Sequence, residues 1–296
     1  RQIYKMKYVV IGGSGFIGSN IIQEIALYKS YKSIINIDCT PTTMFDDRVT
    51  FHQADICKDD ISASLKDADA VFLLAAKIQV QESIDNPLFY NTNNVSGLLN
   101  VLEQCRLNGV RRVIFSSSAS VYGKTTKLPI KETTPVSPLS PYALQKYIGE
   151  NYCQLYSNIY DLETVCLRYF NVYGKNMPDT GSYSSVISVF NRLKMRNKPL
   201  TVYGTGEQRR DFVYVRDVAR ANILAGTSAA VGGGDIINIG TQISTSVIEL
   251  AKTYKQPIDF LPERLEPKNS IADITRAKAL LDWKPSSNIT EWLINF

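Results

Sequence analysis

Two residues that can exchange protons, Tyr142 and Lys146, lie four positions apart in the segment SPYALQK (140–146). Proline is tolerated at the first position of a helix, because the N–H that it lacks would be unpaired there, so Pro141 predicts a helix start. In such a helix both side chains lie on one face, one turn apart. A phenol beside an ammonium group can act as an acid/base pair, and it can equally be surface decoration. The pair alone leaves both interpretations open.

A second segment with chemical potential is IGGSGFIGS (11–19), which spaces Gly12, Gly15 and Gly18 three residues apart. It follows a short apolar run and opens a helical pattern, where glycines let the chain turn tightly and let a pyrophosphate approach the helix N-terminus. A second apolar run ends at Asp38, twenty residues after Gly18. A carboxylate at this offset suits the ribose hydroxyls of NAD and repels the phosphate of NADP. These features predict NAD binding.

The elements that must position these residues alternate between strand-like and helix-like patterns. Buried strands are predicted at KYVVIG (7–12), SIINID (33–38), VTFHQ (49–53), AVFLLA (70–75), RVIFSS (112–117) and ETVCLRY (163–169). Helical patterns lie between them, near 88–108 and 142–158. Apolar runs rich in β-branched residues and separated by helices are typical of a parallel sheet covered on both faces. The sequence therefore predicts an α/β fold with a Rossmann-type, doubly wound parallel sheet.

After Gly174 the pattern changes to a loop rich in Pro, Asp, Gly and Ser, followed by further strands and helices. Strand-like runs are LTVYG (200–204), DFVYV (211–215) and IINIG (236–240), and a helix is predicted near 186–196. We expect a smaller C-terminal α/β lobe that binds the substrate. The predicted division is an NAD-binding domain of residues 6–174 that also receives 211–240, with 175–210 and 241–296 forming the lobe.

The composition is that of a soluble globular protein, with 44% hydrophobic and 21% charged residues among 296. The net charge of +5 is scattered, and without a dense Lys/Arg stripe no nucleic-acid partner is expected. Apolar runs are too short to span a bilayer, and nothing near the start resembles a signal peptide.

The five cysteines are widely spaced, odd in number and form no CxxC, which favours reduced thiols in a cytoplasmic protein. His52 is the only histidine, so no metal site is expected.

Four features occur together: the glycine motif, Asp38, SSSASVYG (116–123) and the Tyr-x-x-x-Lys pattern. In this combination the chain resembles the extended short-chain dehydrogenase/reductases, in the branch of nucleotide-sugar epimerases and dehydratases. The resemblance covers nearly the whole chain. Further matching segments are DNPLFYNTNNVSGLLNVLEQC (85–105), LRYFNVYG (167–174), PLTVYGTGEQRRDFVYVRDVA (199–219) and ADITRAKALLDWKP (272–285). It also implies a homodimer formed through the helices near 88–108 and 142–158.

The resemblance implies a catalytic role for three residues. Ser118 would hydrogen-bond the reacting hydroxyl, Tyr142 would be the acid/base, and Lys146 would hold the nicotinamide ribose. A free phenol titrates near 10 and is a poor base at neutral pH. Because an ammonium group and the positively charged nicotinamide both favour the phenolate, we expect the pKa of Tyr142 to fall towards neutral.

The resemblance also implies a larger set of binding residues. Asp55 and Ile56 would border the adenine, and Asn94 would back the active site. The implied cofactor contacts besides the catalytic pair are Gly12, Gly15, Phe16, Ile17, Gly18, Asp38, Asp55, Ile56, Ala75, Ala76, Lys77, Asn94 and Tyr169. The implied substrate contacts are Ser118, Ala119, Ser120, Tyr142, Asn171, Val186, Tyr203, Arg210, Arg264 and Ser270.

Among the substrate contacts, Tyr203 would lie against the nucleobase, and Arg210 and Arg264 would bind the diphosphate. Arg209 and Arg216 lie close by in sequence, and Arg210 can equally be a surface ion-pair residue.

The residues after Ser118 separate the reactions that the resemblance allows. A 4,6-dehydratase carries an Asp-Glu pair there, and a decarboxylase a Glu at the second position, whereas this chain has Ala119 and Ser120. An epimerase needs no further acid or base, because the 4-keto sugar receives the same hydride on its other face and NAD is regenerated. We therefore expect a UDP-hexose 4-epimerase acting on UDP-glucose and UDP-galactose or their N-acetyl forms, with tightly bound NAD.

The sequence leaves other functions open. Lys175 could face the carboxylate of a uronate, which would make the chain a UDP-uronate 4-epimerase. A 4-keto-sugar reductase would use the same triad, and a non-enzymatic NAD-binding protein could share the fold. The small Ser270 is expected to leave room for an N-acetyl group, although it can equally be a plain loop residue.

Overall fold

The computed structural model describes residues 5–27, 31–42, 45, 47–178, 185–263 and 269–294. Its strands are β1 (Met6–Ile11), β2 (Tyr31–Asp38), β3 (Val49–Gln53), β4 (Ala70–Leu73), β5 (Arg112–Ser118), β6 (Glu163–Tyr169), β7 (Asn171–Tyr173), β8 (Leu200–Tyr203), β9 (Arg209–Tyr214), β10 (Gly233–Ile239), β11 (Ser244–Ser246) and β12 (Ile258–Leu261).

Its helices are α1 (Phe16–Leu27), α2 (Ser62–Leu65), α3 (Val80–Asp85), α4 (Pro87–Asn91), α5 (Leu98–Leu107), α6 (Pro141–Tyr160), α7 (Val186–Met195), α8 (Val215–Thr227), α9 (Val247–Thr253), α10 (Thr275–Leu281) and α11 (Ile289–Ile294). A π-helical turn (Thr92–Gly97) joins α4 to α5, and a 3₁₀ turn (Ala119–Tyr122) follows β5.

The central sheet has seven parallel strands in the order β10-β6-β5-β4-β1-β2-β3. Alternate side chains of each strand enter two separate cores, as the two-residue period of a strand requires. Val10 and Ile114 pack with residues of α1 and α8 on one face, whereas Val9 and Val113 pack with residues of α5 and α6 on the other. The predicted doubly wound α/β fold is confirmed.

The order in which strands are added to the sheet changes direction at β1, which pairs with β2 on one side and β4 on the other. In open α/β sheets, ligands bind outside the carboxyl ends of the strands at such a switch point. The loop after β1 and the loop after β4 therefore border the same crevice.

The segment 211–240 divides between two sheets. β10 pairs with β6 at the edge of the central sheet, and α8 packs against α1. β9 instead pairs with β7 and β11 in a three-stranded sheet, and β12 pairs with β8 in a two-stranded one. The division into an NAD-binding domain and a lobe stays a prediction.

Within the described part of the chain, no helix combines the length and apolar character needed to cross a bilayer.

Candidate active site

The turn between β1 and α1 has no room for side chains at two of its glycines. Gly12 has φ +88°, and a Cβ on it would lie 2.6 Å from the backbone nitrogen of Ala75. A Cβ on Gly18 would lie 2.2 Å from the carbonyl oxygen of Gly12. The turn therefore closes tightly at the N-terminus of α1, as the binding of a pyrophosphate requires.

Asp38 is held beside this turn by two backbone N–H groups. Its Oδ2 accepts from Ser14 N at 3.0 Å and its Oδ1 from Thr40 N at 2.9 Å. Asn36, buried in β2, donates through Nδ2 to the Oγ of Ser14 at 3.2 Å. Ser14 and Asn36 were not among the predicted site residues, although an asparagine inside the apolar run SIINID was a signal for a polar contact.

A cavity of about 200 Å³ extends from the glycine turn along the ends of the neighbouring strands. It brings together eight of the predicted cofactor residues: Gly12, Gly15, Asp38, Asp55, Ile56, Ala75, Ala76 and Lys77. The predicted Phe16, Ile17 and Gly18 form the first turn of α1, which begins at the glycine turn. The Asp55 carboxylate accepts from the backbone N–H of Cys57 at 2.9 Å, which lowers the pKa of Asp55.

The π-helical turn fixes the loop after β4. Asn94 Oδ1 accepts from Lys77 N, and its Nδ2 donates to Lys77 O, both at 2.8 Å. The same Nδ2 donates to Gln145 Oε1 of α6 at 2.9 Å. The sequence pattern predicted one continuous helix near 88–108, because the change of period from α to π leaves no signal in an apolar pattern. Such turns occur often at functional sites.

The catalytic candidates lie on β5 and α6. Ser118 ends β5, and α6 begins at Pro141 with Ser140 as its cap, since Ser140 Oγ accepts from Ala143 N at 3.2 Å. The predicted helix start is confirmed. Tyr142 is half-buried, and its hydroxyl faces the Ser118 side chain, which favours the charged form of the phenol. Lys146 is buried, and its Nζ donates to Ser116 O at 2.8 Å. The structure therefore brings the three predicted residues together.

The expected fall in the pKa of Tyr142 is not found in the protein by itself. Burial raises the pKa of Tyr142, and the Ser118 side chain offsets this only in part. The ammonium of Lys146 points to the Ser116 carbonyl and stands 6.0 Å from the centre of the Tyr142 ring. Burial lowers the pKa of Lys146 to about 8.

Tyr169 lies inside the central sheet. Its hydroxyl contacts Ser116 Oγ at 3.0 Å and donates to Asn222 Oδ1 at 2.9 Å, and burial raises its pKa to about 12. Because this hydroxyl is satisfied within the protein, the contact with the cofactor stays a prediction.

The 3₁₀ turn after β5 holds the two residues that follow Ser118. Ser120 N donates to Ser118 Oγ at 3.1 Å, which makes Ser118 the cap of the turn. The Oγ of Ser120 is buried and has no hydrogen-bond partner among the described residues. Because buried hydroxyls are nearly always paired, this atom fits a site in which a ligand supplies the partner.

A second cavity, of about 300 Å³, brings together four predicted substrate residues: Asn171, Val186, Tyr203 and Arg210. It also contains residues that the sequence analysis did not single out, among them Gln208, Phe190 and Phe212.

The structure separates the three neighbouring arginines. Arg209 donates to both oxygens of Glu249 and to Ser244, and Arg216 donates to Glu24. Of these three arginines, Arg210 lines the cavity.

Asp211, which the sequence analysis overlooked, joins the segments around Arg210. Its completely buried carboxylate accepts from the backbone N–H groups of Thr241, Gln242 and Ala272 at 2.7, 3.1 and 3.0 Å. Ser270 is tied to the same strand, since its N–H donates to Arg209 O at 3.1 Å. Arg264 lies outside the described residues.

Comparison with known proteins places these features in a family. A model described as the NAD dependent epimerase/dehydratase family matches residues 8–240. The UDP-glucose 4-epimerase of Mycolicibacterium smegmatis is 34% identical over 304 residues, which cover 97% of this chain and 96% of that protein.

Solved structures resemble the chain over almost its entire length. The UDP-N-acetylglucosamine 4-epimerase of Methanobrevibacter ruminantium, in complex with UDP-N-acetylmuramic acid, has a TM-score of 0.91 at 34% identity and covers 98% of this chain and 96% of its own. The UDP-glucuronic acid 4-epimerase of Bacillus cereus, in complex with UDP-glucuronic acid and NAD, has a TM-score of 0.89 at 31% identity, with coverages of 97% and 96%. With its glycine turn, Asp38 and the triad on β5 and α6, the chain belongs to the NAD-dependent epimerase/dehydratase family.

Proposed function

We propose that this protein is an NAD-dependent 4-epimerase of a UDP-activated hexose. The observation that carries the proposal is the placement of the Tyr142 hydroxyl beside the Ser118 side chain, with Lys146 one turn along α6 from Tyr142. A phenol paired with a serine hydroxyl can accept a proton from a sugar hydroxyl and return it. The relatives named above share this activity class.

The residues of the glycine turn and its cavity hold the cofactor. The pyrophosphate faces Gly12, Gly15 and the N-terminus of α1, and the Asp38 carboxylate accepts from the adenosine ribose hydroxyls. NAD held by these residues would supply the hydride transfer at C4 of the sugar. The exclusion of side chains at Gly12 and Gly18 is the fit that supports this assignment.

The protein's own residues move the proton. Tyr142 takes the proton of the C4 hydroxyl as hydride leaves, and it gives the proton back when hydride returns. Ser118 orients that hydroxyl. The Lys146 ammonium favours the phenolate and holds a ribose hydroxyl. Because burial raises the pKa of Tyr142 in the protein alone, positive charge supplied on binding is needed to make the phenolate accessible near neutral pH.

The turn after Ser118 favours epimerisation over elimination. Expelling the C6 hydroxyl needs a further acid and base, and the side chains of Ala119 and Ser120 can serve as neither at neutral pH. A dehydratase is therefore disfavoured. A reductase would release oxidised cofactor after each turnover and would consume added NADH.

The second cavity suits a nucleoside diphosphate. Arg210 supplies a cation for the diphosphate and Tyr203 an aromatic face for the base, with Asn171 and Val186 alongside. The small side chain of Ser270 is the reason for the proposal that N-acetyl sugars are accepted. Lys175, the cation considered for a uronate, is exposed, and its carbonyl accepts from Asn20 of α1 at 3.4 Å. We therefore rank uronates below neutral hexoses.

The protein is further proposed to act as a homodimer in the cytoplasm. Large apolar side chains are exposed on α4 and α6, two helices that pack against each other: Leu88, Phe89, Leu144, Leu155 and Ile159. An exposed apolar surface of this kind marks an interaction site. All five cysteines are free thiols, which fits a reducing compartment.

The test is to incubate the purified protein with UDP-glucose, UDP-N-acetylglucosamine and UDP-glucuronic acid in separate reactions without added nicotinamide nucleotide. We expect at least one sugar to reach equilibrium with its C4 epimer, resolved by chromatography. NAD released by denaturation should be close to one molecule per chain. A stable 4-keto product, or net consumption of NADH in a separate reaction to which NADH is added, would rule out an epimerase.

A further inference from the structure

A buried ion pair joins strand β6 to the helix that carries Tyr142 and Lys146. Glu150, one turn beyond Lys146, accepts from Arg168 of β6 at 2.8 Å from Nε and 2.6 Å from Nη2. The side chains of Glu150 and Arg168 are 0% and 2% exposed. Replacing such a pair by apolar residues is often neutral or stabilising, because the desolvation of two charges offsets their attraction. Stability alone is therefore a weak explanation for it.

The pair also contacts the strand that carries Ser118. Ser117, directly before Ser118 in β5, donates through Oγ to Glu150 Oε1 at 2.5 Å. One carboxylate thus joins three elements: α6, the carboxyl end of β5 and β6. Two of these elements carry the catalytic candidates, Ser118 at the end of β5 and Tyr142 in α6.

We propose that Glu150 and Arg168 are positioning residues of the active site, which set the end of β5 against α6 so that the Ser118 hydroxyl meets the Tyr142 phenol. The inference deepens the proposed function and rests on it for its kinetic consequences. A misplacement of about 1 Å in such a pair can cost about a hundredfold in rate.

The contacts of Arg168 extend towards the segment that carries Ser270. Its guanidinium stacks on the ring of Tyr122 at 4.6 Å. The Tyr122 hydroxyl donates to Asn238 Oδ1 at 2.6 Å, and Asn238 Nδ2 donates to Asp273 O at 3.3 Å. The pair therefore connects the catalytic helix with the C-terminal substrate segment through buried polar contacts.

The charge of the pair acts on Lys146 as well. Three titratable groups of its own helix face the ammonium: Tyr142, Glu150 and Cys153. From β5 it meets the Phe115 ring and the Ser116 carbonyl. From β6, Arg168 and Cys166 interact with Glu150 and Cys153. Glu150 favours the charged form of Lys146, and Arg168 balances the charge of Glu150. A Glu150→Gln variant loses that anion while Arg168 stays, so the pKa of Lys146 should fall.

The first measurement is the pH profile of kcat for wild type, Glu150→Gln and a matched control, Glu163→Gln. Glu163 pairs with Arg112 at the opposite end of the same two strands, at 2.7 Å. In Glu150→Gln we expect kcat to fall at least tenfold at pH 7, with its alkaline limb at lower pH. The control should keep the wild-type kcat and profile. Equal profiles for the two variants would overturn the proposal.

Two more variants separate positioning from stability. Glu150→Met/Arg168→Met removes both charges, so it should unfold at a temperature close to that of wild type while kcat stays at least tenfold low and the KM for the UDP-sugar changes less than twofold. Recovery of the wild-type kcat in this variant would contradict positioning.

Ser117→Ala removes only one hydroxyl and should fold, with kcat lowered at least threefold and the KM unchanged. An unchanged kcat would likewise contradict the proposal.

A structural readout is independent of the reaction. Crystal structures of wild type and Ser117→Ala should show a longer distance between Ser118 Oγ and Tyr142 Oη in the variant. An unchanged distance overturns the positioning role even if the protein proves to be no epimerase. Conversely, a longer distance in Ser117→Ala together with a wild type that shows no epimerase activity would refute the proposed function alone.

Discussion

At the scale of single residues, burial works against the chemistry proposed for Tyr142 and Lys146. Burial raises the pKa of the phenol and lowers that of the ammonium to about 8, so burial disfavours the charged form of each group. Proton transfer by this pair therefore requires a partner that exchanges the proton and additional positive charge nearby. Proton transfer therefore depends on ligand binding and is disfavoured in the free protein.

Removing the phenol oxygen tests the residue on which the chemistry depends. Tyr142→Phe should lower kcat by about 10²- to 10⁴-fold, the usual contribution of a general acid/base, while NAD content stays at the wild-type level. Tyr152→Phe, in the same helix, is the control and should leave kcat unchanged. Turnover of Tyr142→Phe at the wild-type rate would remove the enzymatic assignment.

The lowered pKa of Lys146 makes a prediction about stability. Between pH 8 and 10.5 the unfolded chain binds more protons at this lysine than the folded chain, so its contribution to stability rises with pH. Relative to wild type, nucleotide-free Lys146→Met should gain up to about 3 kcal/mol below pH 8, and the gain should vanish towards pH 10.5. Urea unfolding across this range measures it. A difference that does not vary with pH would contradict the buried, charged lysine.

Ser270 tests the choice of sugar. Tyrosine at this position should fill the space proposed for an N-acetyl group, so Ser270→Tyr should lower kcat/KM for UDP-N-acetylglucosamine at least tenfold more than for UDP-glucose. Steady-state kinetics with both sugars decide the point. An equal loss for both would discredit the role of Ser270 in sugar selection.

At the scale of elements, the site depends on where strands and helices begin and end. Ser118 ends β5, Pro141 opens α6 just before Tyr142, and the glycine turn joins β1 to α1, so these candidate residues stand at element termini. The π-helical turn adds a contact that neither α nor β geometry provides, because Asn94 binds both Lys77 and Gln145 there.

The tight closure of the glycine turn predicts a specific loss of cofactor. A Cβ at Gly18 would lie 2.2 Å from the carbonyl oxygen of Gly12, so Gly18→Ala should displace the turn and lower NAD content at least tenfold. Gly233→Ala is the control, since a Cβ there meets no atom within 4 Å. NAD released from each protein is quantified by absorbance. Full NAD content in Gly18→Ala would refute the assignment of this turn to the pyrophosphate.

At the scale of the whole molecule, the exposed apolar side chains of α4 and α6 predict self-association. Leu155→Glu/Ile159→Glu should convert the dimer into a monomer, because two charges would have to be buried at the interface. Met195→Glu on α7, where the side chain is 80% exposed, should leave the dimer intact. Sedimentation velocity distinguishes the states. A monomeric wild type, or a double variant that remains a dimer, would refute this interface.

Local patterns determined the parts of this protein that depend on neighbours in sequence. Apolar runs separated by helical patterns were sufficient for the parallel sheet, and proline and glycine spacing was sufficient for the start of α6 and the turn at α1. These features follow from backbone geometry, which short segments carry by themselves.

Tertiary structure alone decided which side chains meet across the fold. It brought Arg210 rather than Arg209 or Arg216 to a cavity, showed the carboxylate of Asp211 to join three distant segments, and paired Glu150 with Arg168 and Ser117. It also showed that burial raises the pKa of Tyr142 in the protein alone, because burial is a property of everything packed around a group. Contacts between residues far apart in the chain, and the loss of water around them, leave no periodic mark in the sequence.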